Sequence, residues 1–169
     1  YEYDKNGNLV HTTDANGNSI TYSYNTLDQL TQKGYIGNTD HFAYDEEGNI
    51  INMYNDDINI SFTYDALNRL IQKNVNTWNK VISYTYDPAG NRETMTDPDG
   101  GITQYNYDDA NRLTSLVNPF SETTGFEYDD AGRITKQTNA NGTYTDYMYN
   151  DWDLLTSLFN KKSNGDLIS

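Results

Sequence analysis

Apolar positions along this chain come as an aromatic pair spaced by two, then a polar corner, then an aliphatic residue, and that order returns eight times. The pairs are Tyr1 and Tyr3, Tyr22 and Tyr24, Phe42 and Tyr44, Phe62 and Tyr64, Tyr84 and Tyr86, Tyr105 and Tyr107, Phe126 and Tyr128, and Tyr147 and Tyr149. With the second aromatic of each pair as origin, successive origins lie 20 to 22 residues apart. A spacing of two puts both rings on one face of a strand. The residue between them (Glu2, Ser23, Ala43, Thr63, Thr85, Asn106, Glu127 or Met148) then points to the other face, which is mostly polar or small.

One place after each origin stands Asp4, Asn25, Asp45, Asp65, Asp87, Asp108, Asp129 or Asn150. Four places after stands Gly7, Asp28, Gly48, Asn68, Gly90, Asn111, Gly132 or Asp153. Gly, Asn and Asp most readily accept a left-handed backbone, and an Asp or Asn side chain folds back onto the peptide two residues on. The pattern therefore predicts a type I turn closed by a left-handed residue. Six places after the origin the chain returns to Leu9, Leu30, Ile50, Leu70, Leu113, Ile134 or Leu155, with Arg92 as the single departure. Each repeat then meets a second corner, read as looser: "DANGN" at Asp14, "GN" at Gly37, "NDD" at Asn55, "TWNK" at Thr77, "DPDGG" at Asp97, "NPF" at Asn118, "NANG" at Asn139 and "SNGD" at Ser163.

Two corners per repeat leave strands of about five to seven residues, hence about sixteen strands in an all-β antiparallel hairpin meander. Helix is excluded, because Gly, Asn and Asp interrupt every run of helical length. Strands twist, so a ribbon of this many is expected to curve or spiral, turning its tyrosine face toward some covering surface. The predicted organisation is one array of eight repeats, with boundaries at 1–21, 22–41, 42–61, 62–83, 84–104, 105–125, 126–146 and 147–169.

Composition changes this picture in one respect. Leu, Ile, Val and Phe make up fewer than a fifth of the 169 residues and the net charge is −14, a balance typical of disordered chains. Sixteen tyrosines compensate, since each carries a large apolar ring, and a core follows if they are placed to share it. With no cysteine, disulfides and thiolate metal sites are excluded. The acidic surface repels phosphate backbones, so nucleic acid is not an expected partner. The window holds no apolar run long enough for a membrane span and no signal-like leader. The chain reads as an excised piece of a longer protein, ending at a repeat boundary.

The runs "YDKNGNL", "YDEEGNI", "YDALNRL", "YDPAGNR", "YDDANRL" and "YDDAGRI", with "YNTLDQL" and "YNDWDLL" as degenerate copies, resemble the YD repeat, also called the RHS repeat. That family includes bacterial toxin-complex proteins, RHS and wall-associated toxins, and teneurins. The resemblance covers the whole chain. It implies a β-ribbon that spirals into a hollow shell, which in the toxins encloses a C-terminal toxic segment. It further implies a secreted or cell-surface location, neighbouring repeats and an effector segment as partners, and containment in place of catalysis. The self-cleaving element that ends the repeat region in such toxins has no counterpart after Tyr149.

Candidate chemistry is sparse. His11 and His41 are the only histidines and fall in no repeated column, so a nucleophile–His–acid series has no support in the sequence and no enzyme is expected. Corner chemistry accounts for the acidic turns without a cofactor, although "DANGN", "DPDGG" and Asp151 to Asp153 offer oxygen ligands of the kind calcium takes. Arg69, Arg92, Arg112 and Arg133 lie five or six places after an origin, and are expected to pair with the Asp column of a neighbouring repeat. Trp78 and Trp152, near corners, are candidate contacts for a glycan or partner surface, which is the alternative function. Unpaired strands at Tyr1 and Leu167 are expected to promote self-association of the isolated chain.

Overall fold

The computed structural model describes residues 1–168 and is all-β apart from one three-residue 3-10 turn. Sixteen strands follow one another in chain order. The chain divides into two compact halves, Tyr1–Ser83 and the residues from Tyr84 onward, at the boundary between the fourth and fifth repeats. The first half contains β1 (Glu2–Tyr3), β2 (Leu9–Thr13), β3 (Ser19–Tyr24), β4 (Leu30–Tyr35), β5 (Asn38–Tyr44), β6 (Ile50–Tyr54), β7 (Asn59–Tyr64), β8 (Leu70–Val75) and the start of β9 (Lys80–Tyr86). The second contains the end of β9, then β10 (Arg92–Thr96), β11 (Ile102–Tyr107), β12 (Leu113–Val117), β13 (Thr123–Tyr128), β14 (Ile134–Thr138), β15 (Tyr144–Tyr149) and β16 (Leu155–Lys161).

Register follows from the columns. Origin tyrosines face the returning aliphatic across their hairpins: Tyr3 opposite Leu9, Tyr24 opposite Leu30, Tyr44 opposite Ile50 and Tyr64 opposite Leu70 in the first half. The second half repeats this with Tyr107 opposite Leu113, Tyr128 opposite Ile134 and Tyr149 opposite Leu155. Aromatic–aliphatic pairs of this kind are the unit of sheet stabilisation. At Tyr3, Tyr24, Tyr44, Tyr64, Tyr107, Tyr128 and Tyr149 the register slips, because the returning strand carries an extra residue, a β-bulge that increases twist. Where the extra residue is Thr31, Thr114 or Thr156, its hydroxyl donates to the carbonyl of Ser23, Asn106 or Met148, each at 3.1 Å.

The predicted alternation of faces holds in six repeats; in the other two, Ala43 is half-buried like Tyr44, and Glu2 and Tyr3 are both exposed. Tyr24, Tyr64, Tyr128 and Tyr149 are half-buried, whereas their predecessors Ser23, Thr63, Glu127 and Met148 are exposed. The expected core does not form: among the described residues no side chain is fully buried. In the second half the guanidinium groups of Arg92, Arg112 and Arg133 lie over the rings of Tyr84, Tyr128 and Tyr149, yet among the described residues no ring is fully buried. Tyr1 and Tyr3, on the outermost strand, are 85% and 61% exposed.

The second corners are not uniformly looser. At Asp14, Asp97, Asn118, Asn139 and Lys162 they reproduce the same pair of turn bonds as the first corners, such as Asp14 N to Asn18 O at 2.9 Å and Gly17 N to Asp14 O at 3.1 Å. Three differ. Ile36 and Gly37 alone link Tyr35 to its cross-strand partner Asn38, Asn55 N closes on Ile58 O at 2.9 Å, and the 3-10 turn Asn76–Trp78 ends at left-handed Asn79. Side chains that fold onto the backbone made the five tight corners, and the looseness read from their variable sequences was a variation in residues, not in geometry.

Candidate functional site

The corner is the smallest functional element of the chain. In "DEEG", Gly48 N donates to Asp45 O at 3.2 Å and Asp45 N to Asn49 O at 3.0 Å, with Gly48 left-handed at φ 89°. The acid then fills the corner from inside. Asp4 Oδ1 accepts the peptide N–H groups of Asn6 and Asn8, both at 2.9 Å, and Asp108 Oδ1 those of Ala110 and Arg112 at 3.0 and 2.9 Å. The second carboxylate oxygen takes the side chain four places on: Asn49 Nδ2 on Asp45 at 2.9 Å, Asn91 Nδ2 on Asp87 at 3.0 Å, and Arg69 Nε on Asp65 at 2.8 Å. These carboxylates spend their lone pairs on their own corner. No group of three or more acidic or imidazole side chains converges among the described residues.

The arginines are placed differently from expectation. Arg69, Arg112 and Arg133 pair with the acid of their own repeat, at 2.8 Å to Asp65, 2.7 Å to Asp108 and 2.6 Å to Asp129. The tight turn folds each guanidinium back onto the residue that opened it. Arg133 also reaches the next repeat, at 2.6 Å to Asp153, which stands in the left-handed column. The guanidinium carbons of Arg112 and Arg133 lie over the rings of Tyr128 and Tyr149 at 4.8 and 4.7 Å, where a cation is attracted to the ring face. Arg92, which replaces the aliphatic of its column, lies over Tyr84 at 4.9 Å and Tyr105 at 5.7 Å.

Two links between repeats escaped the sequence reading. The first is a latch: the origin tyrosine donates its hydroxyl to the carbonyl of the returning aliphatic one repeat earlier. Tyr24 reaches Leu9 O at 2.9 Å, Tyr44 Leu30 O at 2.8 Å, Tyr64 Ile50 O at 2.9 Å, Tyr128 Leu113 O at 2.8 Å and Tyr149 Ile134 O at 3.0 Å. Tyr107, whose preceding repeat carries Arg92, makes no such bond among the described residues. The second link stitches corners in pairs. Asn8 donates to Asp28 at 2.7 Å, Asn49 to Asn68 at 3.1 Å, Asn91 to Asn111 at 2.8 Å and Arg133 to Asp153 at 2.6 Å. Each acceptor is a left-handed residue of an even-numbered repeat, with φ between 57° and 60°. Odd-numbered repeats carry glycine there, and at Gly48 an added Cβ would lie 3.2 Å from Gln29 Nε2. The signal was in the column itself, which alternates strictly between glycine and an amide or acid, so the structural period is two repeats.

The two histidines sit in different surroundings. His11 Nε2 lies 2.6 Å from Ser19 Oγ and its Nδ1 lies 3.8 Å from Glu2 Oε1, an order of serine, imidazole and carboxylate that the sequence did not reveal. Glu2 is 72% exposed, and 3.8 Å is beyond hydrogen-bond reach, so water screens the pair and the acid does not fix the imidazole tautomer. The cluster is a cross-strand tie between β1, β2 and β3. His41 stacks on Tyr54 with ring centroids 4.6 Å apart, and both line a 120 Å³ pocket formed by β5, β6 and β7 with Phe42, Met53 and Ile60. Trp78, in the 3-10 turn, and Trp152, in the β15–β16 corner, are 65% and 77% exposed.

These environments set the response to pH. The residue four places on leads in holding the corner acids below the ordinary value, through its peptide N–H at Asp4, Asp65 and Asp108 and its side chain at Asp14, Asp45, Asp87 and Asp129. Burial raises the phenols of Tyr24, Tyr64 and Tyr107. For the acids, the unfolded state binds more protons as pH falls below about 3.8, so their stabilisation is present above that value and lost through the lower folded-state values. For the phenols the folded state keeps its protons longer, so stability is full below about pH 10 and lost as pH rises through the raised values. Urea midpoints are therefore expected to form a plateau with both an acid and an alkaline limb, and Tyr24→Phe with Tyr64→Phe to flatten the alkaline one. An alkaline limb unchanged in the double variant contradicts the assignment.

The family model for the teneurin YD-shell matches residues 1–113, and that for the RHS repeat matches 107–144 and 128–158. The chain belongs to the YD-shell family. No curated protein matches it. Among solved structures, this YD-shell chain is similar to the crystal structure of TcdB2-TccC3-TEV, at a TM-score of 0.75 and 16% identity over 99% of its length. It is similar to the same degree, over 98% of its length, to the Photorhabdus luminescens Tc holotoxin pore with the TccC3-D651A mutation. It spans 10% of the length of either chain, and at this identity the likeness establishes the fold. Among the described residues no helix is long and apolar enough to cross a membrane.

Proposed function

We propose that this chain is a non-catalytic wall segment of a secreted or cell-surface toxin-like protein, part of a shell that encloses or displays a C-terminal effector. The observation that carries this reading is the absence of a buried side chain among the described residues, together with a tyrosine face whose repeats are tied to one another by latches and stitched corners. A face of half-buried rings is stable as one side of an enclosure, where further repeats or an enclosed segment cover it. Exposed Trp78 and Trp152 favour a second reading, a glycan- or partner-binding module.

The test uses the longer protein that carries these repeats. Its C-terminal segment is expected to resist protease while the repeats are intact, and to become cleavable when residues 1–169 are excised. Cleavage at equal rates in both proteins, with glycan binding that disappears in Trp78→Ala and Trp152→Ala, would establish the second reading instead. The isolated chain is expected to self-associate through its outer strands, so light scattering should show dimers or larger species as concentration rises. A mass that stays monomeric over that range contradicts edge pairing.

A further inference from the structure

Four corners carry the dipeptide Asn-Gly: Asn6-Gly7, Asn16-Gly17, Asn141-Gly142 and Asn164-Gly165. In each, the glycine is left-handed, with φ of 91°, 83°, 81° and 91°, and the asparagine is the third residue of the turn. An asparagine side chain can close a five-membered ring with the next peptide nitrogen, and glycine, lacking Cβ, leaves that nitrogen unhindered. We propose that Asn16 is a site of spontaneous modification, at which the Gly17 nitrogen displaces ammonia and converts the corner to an aspartyl or isoaspartyl linkage.

The step balances with water as its only co-reactant. The Gly17 peptide nitrogen gives its proton to a buffer base and bonds to Asn16 Cγ. The Cγ–Nδ2 bond breaks, and ammonia leaves with a proton taken up from solvent. Water then opens the cyclic imide at either carbonyl, and nothing is oxidised or reduced.

Two independent features single out Asn16 among the four. The other three side chains are tied down. Asn6 Nδ2 donates to Asp28 Oδ1 at 2.9 Å, Asn141 Oδ1 accepts Thr143 N at 3.0 Å and Thr143 Oγ1 at 2.7 Å, and Asn164 Nδ2 donates to Asp166 Oδ2 at 2.8 Å. Asn16 is held only through its peptide N–H, on Asp14 Oδ1 at 2.8 Å, and its side-chain amide has no hydrogen bond among the described residues. Space is the second feature. A Cβ added at Gly17 would have nothing within 4 Å, whereas at Gly142 it would meet Ser163 Cβ at 3.1 Å and at Gly165 the Tyr144 hydroxyl at 3.6 Å. Gly7 has the space but not the free side chain. The turn bond from Gly17 N to Asp14 O, at 3.1 Å, slows the loss of the peptide proton, so the reaction accelerates with pH and with unfolding.

The product alters the corner that joins β2 to β3. A new carboxylate appears beside Asp14, whose own charge is already held there by Asn16 and Asn18. An isoaspartyl linkage lengthens the backbone by one methylene after the Asn16 Cα and so misplaces the Asn18 N–H that Asp14 Oδ1 accepts.

The experiment is incubation of the purified chain in mildly alkaline buffer in heavy-oxygen water, with peptide mapping over days and an isoaspartyl methylation assay. The peptide containing Asn16 is expected to gain label several-fold faster than those containing Asn6, Asn141 and Asn164. In Asn16→Gln that gain is expected to disappear while the others persist. In concentrated urea, where all four dipeptides are alike, the rates should converge. Equal rates in the folded chain, faster reaction at another of the four, or an order that survives unchanged in urea would each overturn the proposal.

Discussion

Gly48→Val is expected to lower the free energy of unfolding by about 1 to 3 kcal/mol, because a β-branched residue is forced into the left-handed region. Gly48 sits there at φ 89°, closing the corner through its bond to Asp45 O. Asparagine tolerates that region, and Asn68 and Asn111 occupy the same column at φ 59°. The alternation of the column makes the asparagine result depend on position. At Gly132 an added Cβ meets nothing within 4 Å, so Gly132→Asn should cost a few tenths of a kcal/mol at most. At Gly48 the Cβ approaches Gln29 Nε2 at 3.2 Å, so Gly48→Asn should cost more, with Gln29→Ala recovering part of the loss. Urea unfolding of these four variants and of Gly132→Val beside the parent chain measures all five values. Equal losses for Asn and Val at Gly132 would show that the corner rejects any side chain, and the left-handed requirement would no longer explain the column.

What the sequence revealed and what it hid divide along the range of the interactions. The hairpins were legible because a corner is local: Asp45 and Gly48 lie within one turn, and every constraint on them is written in four adjacent letters. The facing of the strands was legible too, since spacing by two fixes which side a ring takes. The missing core was not, because sixteen tyrosines measure the surface available for burial and not whether a second layer exists to bury it. Contacts between repeats were partly hidden. The arginines were assigned to a neighbour's acid when the turn in fact folds Arg69, Arg112 and Arg133 onto their own. The tyrosine latch was invisible for a different reason: its acceptor is a backbone carbonyl, such as Leu9 O, which any residue supplies and no column marks. The serine, imidazole and carboxylate at Ser19, His11 and Glu2 come together only through the register of three strands, and a single occurrence leaves no repeated trace.

The latch carries the second large effect. Tyr64 faces Leu70 across its hairpin and donates to Ile50 O at 2.9 Å, so ring and hydroxyl act on different partners. Tyr64→Ala removes both. A tyrosine side chain of about 200 Å², half covered, contributes about 2 to 3 kcal/mol through its ring. The hydroxyl adds about 0.5 to 1.5 kcal/mol, the usual net value of a hydrogen bond. Tyr64→Phe isolates the second term, and Tyr107→Phe is the control, since Tyr107 lacks the latch and its loss of a hydroxyl should be nearly silent. Location tests the role more sharply than magnitude. In a repeat array each repeat contacts its neighbours, so stability is a sum of local and nearest-neighbour terms. Loss of the Tyr64 latch should therefore lower amide protection in β6 and β7, which it joins across one repeat, and leave β2 and β3 unchanged. Hydrogen exchange on Tyr64→Phe reads this directly. A uniform loss across the first half would mean that the four repeats unfold as one block, and the latch would then be a general contributor to stability instead of the tie that holds one repeat of the wall to the next.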